Sequence, residues 1–186
     1  MESDRELMET YLEELRQMLA RLPMQPLLEI LQLLRDARQN NRRIYIFGNG
    51  GSAATASHMA CDFGKNTVQP DRARFQVIAL TDNMPTITAY ANDEGYENIF
   101  SEPILSLGKA GDLAIAISGS GNSPNVLKGV QAARQIGMTT IGLTGFAGGK
   151  LKDLVDVCLV APSNRIEQVE DAHMIIDHLL TLGLKA

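Results

Sequence analysis

IYIFGNGGSAATASH, residues 44–58, joins four consecutive apolar residues, Ile44 to Phe47, to a glycine-rich turn and then to a helix-compatible run. An unbroken apolar run reads as a strand covered on both faces, because a strand with one wet face would alternate. The same order of apolar run, small or polar loop and helical segment returns with FQVIAL (75–80), LAIAIS (113–118), TTIGLTG (139–145) and VCLVAP (157–162). Strands of this kind separated by helices predict βα units, and hence an α/β fold with a doubly wound parallel sheet flanked by helices. Ligands of such sheets bind outside the carboxyl ends of the strands, so the two most polar strand ends are the candidate sites.

The 186 residues are expected to form a single domain, with a helical hairpin over 1–40 ahead of an α/β sandwich over 41–186. Leu7, Tyr11, Leu15 and Leu19, then Leu27, Leu28, Leu31 and Leu34, recur at helical spacing, with Pro23 and Pro26 separating the two runs. Such a stripe belongs in a core or at a subunit interface. Met84–Tyr90 reads as a short helix and Arg165–Leu184 as a long one whose apolar face carries Val169, Ala172, Ile176 and Leu180. A net charge of -5 without a basic patch excludes non-specific nucleic-acid binding. The first residues lack the order of a signal peptide and no apolar stretch is long enough for a bilayer, so a cytoplasmic protein without membrane contact is expected. Cys61 and Cys158, far apart and outside any CxxC spacing, read as buried reduced thiols.

The turn Gly48-Asn49-Gly50-Gly51-Ser52 can receive an anion on helix-start N–H groups and a serine hydroxyl, or can simply connect a strand to a helix. It is neither a dinucleotide fingerprint, which would need glycine at Ala53, nor a Walker loop, so no nucleotide cofactor is expected. Ser118-Gly119-Ser120-Gly121-Asn122-Ser123 repeats the arrangement after a second strand, with Pro124 suited to the first turn of the next helix. One serine is explained by capping; three hydroxyls beside free N–H groups point to a phosphate.

His58 and Asp62 lie four residues apart and share a helix face. Glu170 and His178, eight apart, are separated by roughly 80° round the helix axis. Two imidazoles and two carboxylates could hold Zn²⁺ or divide acid and base work. His173 and Asp177 form another pair at four-residue spacing and read as a surface ion pair. Lys65 is a further candidate for ligand contact.

GNGGSAATASH, AYANDEGY, ISGSGNSPNVLKGVQAARQIGMTTIGLTG and RIEQVEDAHMIIDH, in this order, resemble the sugar-isomerase (SIS) domain proteins of the phosphoheptose isomerase type. The resemblance covers almost the whole chain and implies interconversion of sedoheptulose 7-phosphate and D-glycero-D-manno-heptose 7-phosphate. It also implies a homotetramer with a central helical bundle and active sites that take residues from neighbouring subunits. Carried across, it implies that Asn49, Gly50, Gly51 and Ser52 contact sugar or phosphate, and that Ser118, Ser120 and Ser123 hold the phosphate with Gly119 in the same loop. Asn92 and Asp93 would bind sugar hydroxyls. His178 matches the catalytic histidine, and His58 a histidine that in some members joins a zinc site. Two positions depart from the pattern: Asp62 stands where the family has its catalytic glutamate, and Glu170 where it has glutamine. On this footing Asp62 is the expected base, His178 its acid/base partner and Glu170 a supporting group or the base itself, with His58, Asp62, Glu170 and His178 as the possible zinc ligands. Non-catalytic relatives, which bind sugar phosphates or serve as adaptors of the replication initiator, and isomerases of other phosphosugars are the alternatives.

Overall fold

The computed structural model describes residues 2–186. Five strands, β1 (Arg43–Gly48), β2 (Gln76–Ala79), β3 (Leu113–Ile117), β4 (Thr139–Thr144) and β5 (Val157–Val160), pair entirely in parallel in the order β2-β1-β3-β4-β5. The doubly wound sheet expected from the apolar runs is therefore present. β3 is buried along its whole length, and β1 and β4 are buried beyond their first residue, whereas the edge strands β2 and β5 are only partly covered.

Among the described residues eight α-helices surround the sheet: α1 (Glu2–Leu19), α2 (Met24–Gln39), α3 (Gly51–Cys61), α4 (Met84–Asp93), α5 (Ser101–Leu107), α6 (Pro124–Gln135), α7 (Gly149–Leu154) and α8 (Ile166–Lys185). Alternation along each strand sorts the core into two layers. Ile44, Ile46, Ile115, Ile117, Ile141 and Leu143 pack with Leu34 of α2, Met59 of α3 and Ile176 of α8. Tyr45, Phe47, Ala114 and Ala116 pack on the other face with Ile104 of α5 and Val126 and Val130 of α6. The chain thus leaves β1 and β3, which are neighbours, towards opposite faces, and a crevice opens where they part. A smaller cluster of Met18, Ala161, Val169 and Ala172 seats α1 on α8.

Pro26 does not separate the hairpin helices; it lies in the first turn of α2, where a missing N–H leaves no intrahelical bond unmade. Cys61 is exposed and Cys158 half-buried, both free. Cys61 lies off the face of α3 that buries Thr55, Ala56 and Met59. No helix among the described residues is long and apolar enough to cross a membrane.

The serine-rich loop is pinned by backbone. Gly121 has φ +66°, and a Cβ there would lie 2.0 Å from the carbonyl oxygen of Gly148. Gly137, which ends α6 at φ +82°, has only the Ala110 Cβ at 3.4 Å. Gly137→Ala is therefore expected to cost about 1–2 kcal/mol of conformational strain. Gly121→Ala should cost at least twice as much, because it adds a backbone collision. Chemical denaturation of the two variants checks this, and equal losses would contradict the packing described.

Candidate functional site

The turn after β1 and the loop after β3 meet at the crevice. Asn49 and Asn125 bond reciprocally through their side-chain amides, Nδ2 to Oδ1 at 2.8 Å in both directions. Tyr96 adds a hydroxyl donated to Asn49 Oδ1 at 3.1 Å, and the buried Asn125 also accepts from the Val126 N–H. The hydroxyls of Ser118 and Ser123 lie 3.2 Å apart, Ser120 Oγ accepts from the Asn122 N–H at 3.2 Å, and Asn122 Oδ1 accepts from the Lys150 N–H. At Gly119 a Cβ would stand 2.5 Å from the tip of the exposed Ile166 side chain, which would have to move aside. Gly50 precedes α3, and Gly51 and the buried Ser52 open it. Both turns thus present helix-start N–H groups to one crevice, with hydroxyls beside them.

A second grouping lies further along α3 and α8. Two turns into α3, His58 faces His178 of α8, with their Nε2 atoms 3.4 Å apart and their rings at 62°. The distance from Gly51 to His58 along the helix is about 10 Å. Where α3 ends, the chain passes into a π-helical turn (Asp62–Asn66), an arrangement frequent at functional sites. Asn66 Nδ2 donates to Asp62 Oδ1 at 2.7 Å, which leaves Oδ2 towards His58 Nε2 at 3.8 Å. Asp177 completes the group, its Oδ2 3.9 Å from His58 Nε2. Ligand atoms of His58, Asp62, Asp177 and His178 all lie within 4.8 Å of one another, so these four residues could hold a metal ion.

Asp177 was not among the residues singled out in the sequence as functional. Its spacing from His173 suggests a surface ion pair, and the structure differs: both are buried and they part company. His173 Nε2–H donates to the Thr144 carbonyl at 3.1 Å, and burial holds its pKa down to about 4, so the ring stays neutral. Asp177 is 0 % exposed, and the one polar group that approaches its carboxylate from its own helix is the Thr181 hydroxyl one turn on, which is too poorly placed for a full hydrogen bond. Burial, and next the nearby Asp62 carboxylate, push its pKa up to about 7.

The remaining candidates are placed elsewhere. Glu170 is not in the four-residue group; its carboxylate lies against Gly51, where a Cβ would meet Oε1 at 2.7 Å. Asn92 and Asp93 are exposed near the end of α4 and bonded to each other, Nδ2 to Oδ1 at 2.6 Å. Lys65 is exposed on the π-helical turn. Asn125, like Asp177, escaped the sequence reading; its signal was an amide directly behind Pro124 at a helix start, a position usually filled without functional consequence.

Comparison with known proteins agrees with this geometry. The SIS domain family matches residues 10–145. The phosphoheptose isomerase of Rhodospirillum rubrum is 43% identical over 138 residues, 74% of this chain and 73% of that protein. That of Helicobacter pylori is 36% identical over 176 residues, 95% and 87% of the two chains. The solved phosphoheptose isomerase of Neisseria gonorrhoeae superposes with a TM-score of 0.90 at 31% identity, covering 97% of each chain.

The Asp177 carboxyl has a testable thermodynamic consequence. Its folded pKa of about 7 stands above its ordinary 3.8, so its favourable contribution is complete below the lower value and is lost as pH rises through 7. Asp177→Asn mimics the protonated form. In metal-free protein the variant should match the parent near pH 4 and exceed its stability at pH 8, by up to about 4 kcal/mol. Urea titrations at both pH values check this, and equal stability at pH 8 would contradict it.

Proposed function

The chain belongs to the SIS domain family and, within it, to the phosphoheptose isomerases, and from that premise we propose that it interconverts sedoheptulose 7-phosphate and D-glycero-D-manno-heptose 7-phosphate. The observation that carries the proposal is the pairing of two places: an anion-receiving crevice of two turns, and a group of imidazoles and carboxylates further along α3. An extended seven-carbon phosphosugar spans roughly 10 Å, given C–C bonds of about 1.5 Å. That is the order of the separation along α3 from Gly51 to His58.

In this reading the phosphate is held by Ser118, Ser120 and Ser123, with Gly119 admitting it closely. The turn Asn49-Gly50-Gly51-Ser52 faces the sugar chain, and Asn92 and Asp93 receive hydroxyls. Aldose–ketose interconversion moves a proton between C1 and C2 through an enediol and needs a base for the carbon and an acid for the oxygens. Asp62 is the base and His178 its partner. A second reading is favoured by the position of Glu170 against Gly51 and outside the His/Asp group: there Glu170 is the base, and the group is left to hold zinc. A zinc ion so bound would polarise the substrate carbonyl.

The exposed apolar side chains of the N-terminal helices, Leu7, Met8, Leu12, Met24 and Leu28, support a homotetramer with this hairpin at its centre. In such an assembly neighbouring subunits could bring Asn92 and Asp93 to a shared site. The hairpin packs on α8 and on the sheet layer through Met18, Leu27, Ile30 and Leu34, which supports residues 1–186 as one domain. A phosphorylated substrate is too charged to cross a bilayer unaided, which supports a cytoplasmic enzyme.

Asp62→Asn and His178→Gln are each expected to lower kcat at least about 100-fold. Ser120→Ala should act mainly through KM, because phosphate binding is shared by ground and transition states. Glu170→Gln distinguishes the two bases: a change in kcat below tenfold fits Asp62, and a loss as large as that of Asp62→Asn fits Glu170. Full activity in both Asp62→Asn and His178→Gln would overturn the assignment.

A further inference from the structure

The side-chain amide of Asn49, in the turn before α3, has little hydrogen-bonding capacity left for a ligand. A primary amide offers two lone pairs on oxygen and two N–H groups on nitrogen. Asn49 Oδ1 accepts from Asn125 Nδ2 at 2.8 Å and from the Tyr96 hydroxyl at 3.1 Å, and Asn49 Nδ2 donates to Asn125 Oδ1 at 2.8 Å. These bonds use both lone pairs and one N–H, which leaves a single N–H of Asn49 for the crevice.

The orientation of this amide is dictated from outside it. The Val126 N–H can only donate, so the Asn125 atom that it meets at 3.0 Å is the carbonyl oxygen, and Asn125 must turn its amino group towards Asn49 Oδ1. Asn125 lies in the first turn of α6 and is 1 % exposed, too enclosed to reach a ligand itself. Tyr96 comes from another element, the 3₁₀ turn Tyr96–Asn98 after α4, and closes the second lone pair of Asn49 Oδ1 from the exposed side. We propose that Asn125 and Tyr96 are positioning residues of the sugar-phosphate site, which lock the Asn49 amide so that the ligand meets a fixed N–H donor and no free acceptor there. A free amide can turn over and present its oxygen, which repels an anion. An amide held donor-outward before binding spares the ligand that ordering cost.

The inference rests on the reading of this crevice as a sugar-phosphate site and adds what sets the polarity of one of its contacts. With Asp62 as the base, the Asn49 contact lies away from the carbons that exchange a proton and is equal in ground and transition states. Its loss then appears in KM and not in kcat.

The test compares Tyr96→Phe and Asn125→Ala with the parent in the full chain. Steady-state kinetics use sedoheptulose 7-phosphate, and calorimetric titration uses a heptitol 7-phosphate, which cannot isomerise. Tyr96→Phe should raise KM and Kd about threefold and Asn125→Ala about tenfold, with kcat within about twofold of the parent. The Tyr96 hydroxyl is removed from an exposed side chain, so that variant carries the test even where Asn125→Ala fails to fold. In an Asn49→Ala background both effects should shrink below about twofold, because the residue through which they act is gone. A merely structural Asn125 that holds the two turns together would keep its full effect in that background, and this result overturns the inference. Parental KM and Kd in both variants, or a fall in kcat with KM unchanged, also overturn it. Heptitol phosphate binding with the expected losses but no turnover by the parent would overturn the isomerase reading and leave the inference standing. Turnover with unchanged KM in the variants would do the reverse, and a parent that binds neither phosphosugar overturns both.

Discussion

The adjacency of β1 and β3 in the sheet is the constraint on which the rest depends. The chain leaves these two parallel strands towards opposite faces, so α3 and α6 begin side by side and diverge. Two helix starts, each preceded by a flexible small-residue turn, then point unsatisfied N–H groups into one crevice. The reciprocal amide pair of Asn49 and Asn125 ties the two starts together across it. In the proposed function the anion is received mainly by backbone and hydroxyl groups, an arrangement compatible with the chain's net charge of -5.

α3 and α8 lie on the same face of the sheet and share one apolar layer, Met59 with Ile176 and Leu180. That contact fixes the register that brings His58 opposite His178 and the end of α3 opposite Asp177. The same packing strips Asp177 of water. Burial there raises the carboxyl pKa to about 7.

Much of this was legible in the sequence. The five apolar runs were strands, and their continuity correctly implied a parallel sheet covered on both faces, though less so at the β2 and β5 edges. The two glycine and serine turns were readable as strand-to-helix connections, and the shared helix face of His58 and Asp62 from their four-residue spacing. Strand order was not, because nothing in a βα run says on which side of its predecessor a strand will lie. Nor was the placement of Asp177: helical periodicity put it on a face with His173, but which partner each residue meets is decided by the neighbouring elements. Thr144 of β4 takes the histidine and α3 faces the aspartate. Glu170 was visible as a departure from the family pattern, yet its placement against Gly51 depends on how α8 crosses the start of α3, which local sequence does not encode.

The central claim is that this crevice and the adjoining acid/base group isomerise a phosphosugar through an enediol. Incubating the purified protein with sedoheptulose 7-phosphate in D₂O and following the mixture by proton NMR tests it most directly. The account predicts a heptose 7-phosphate aldose as product, with deuterium at C2 wherever the base exchanges with solvent before returning its proton. Neither product nor exchange, while the phosphosugar is seen to bind, would contradict it.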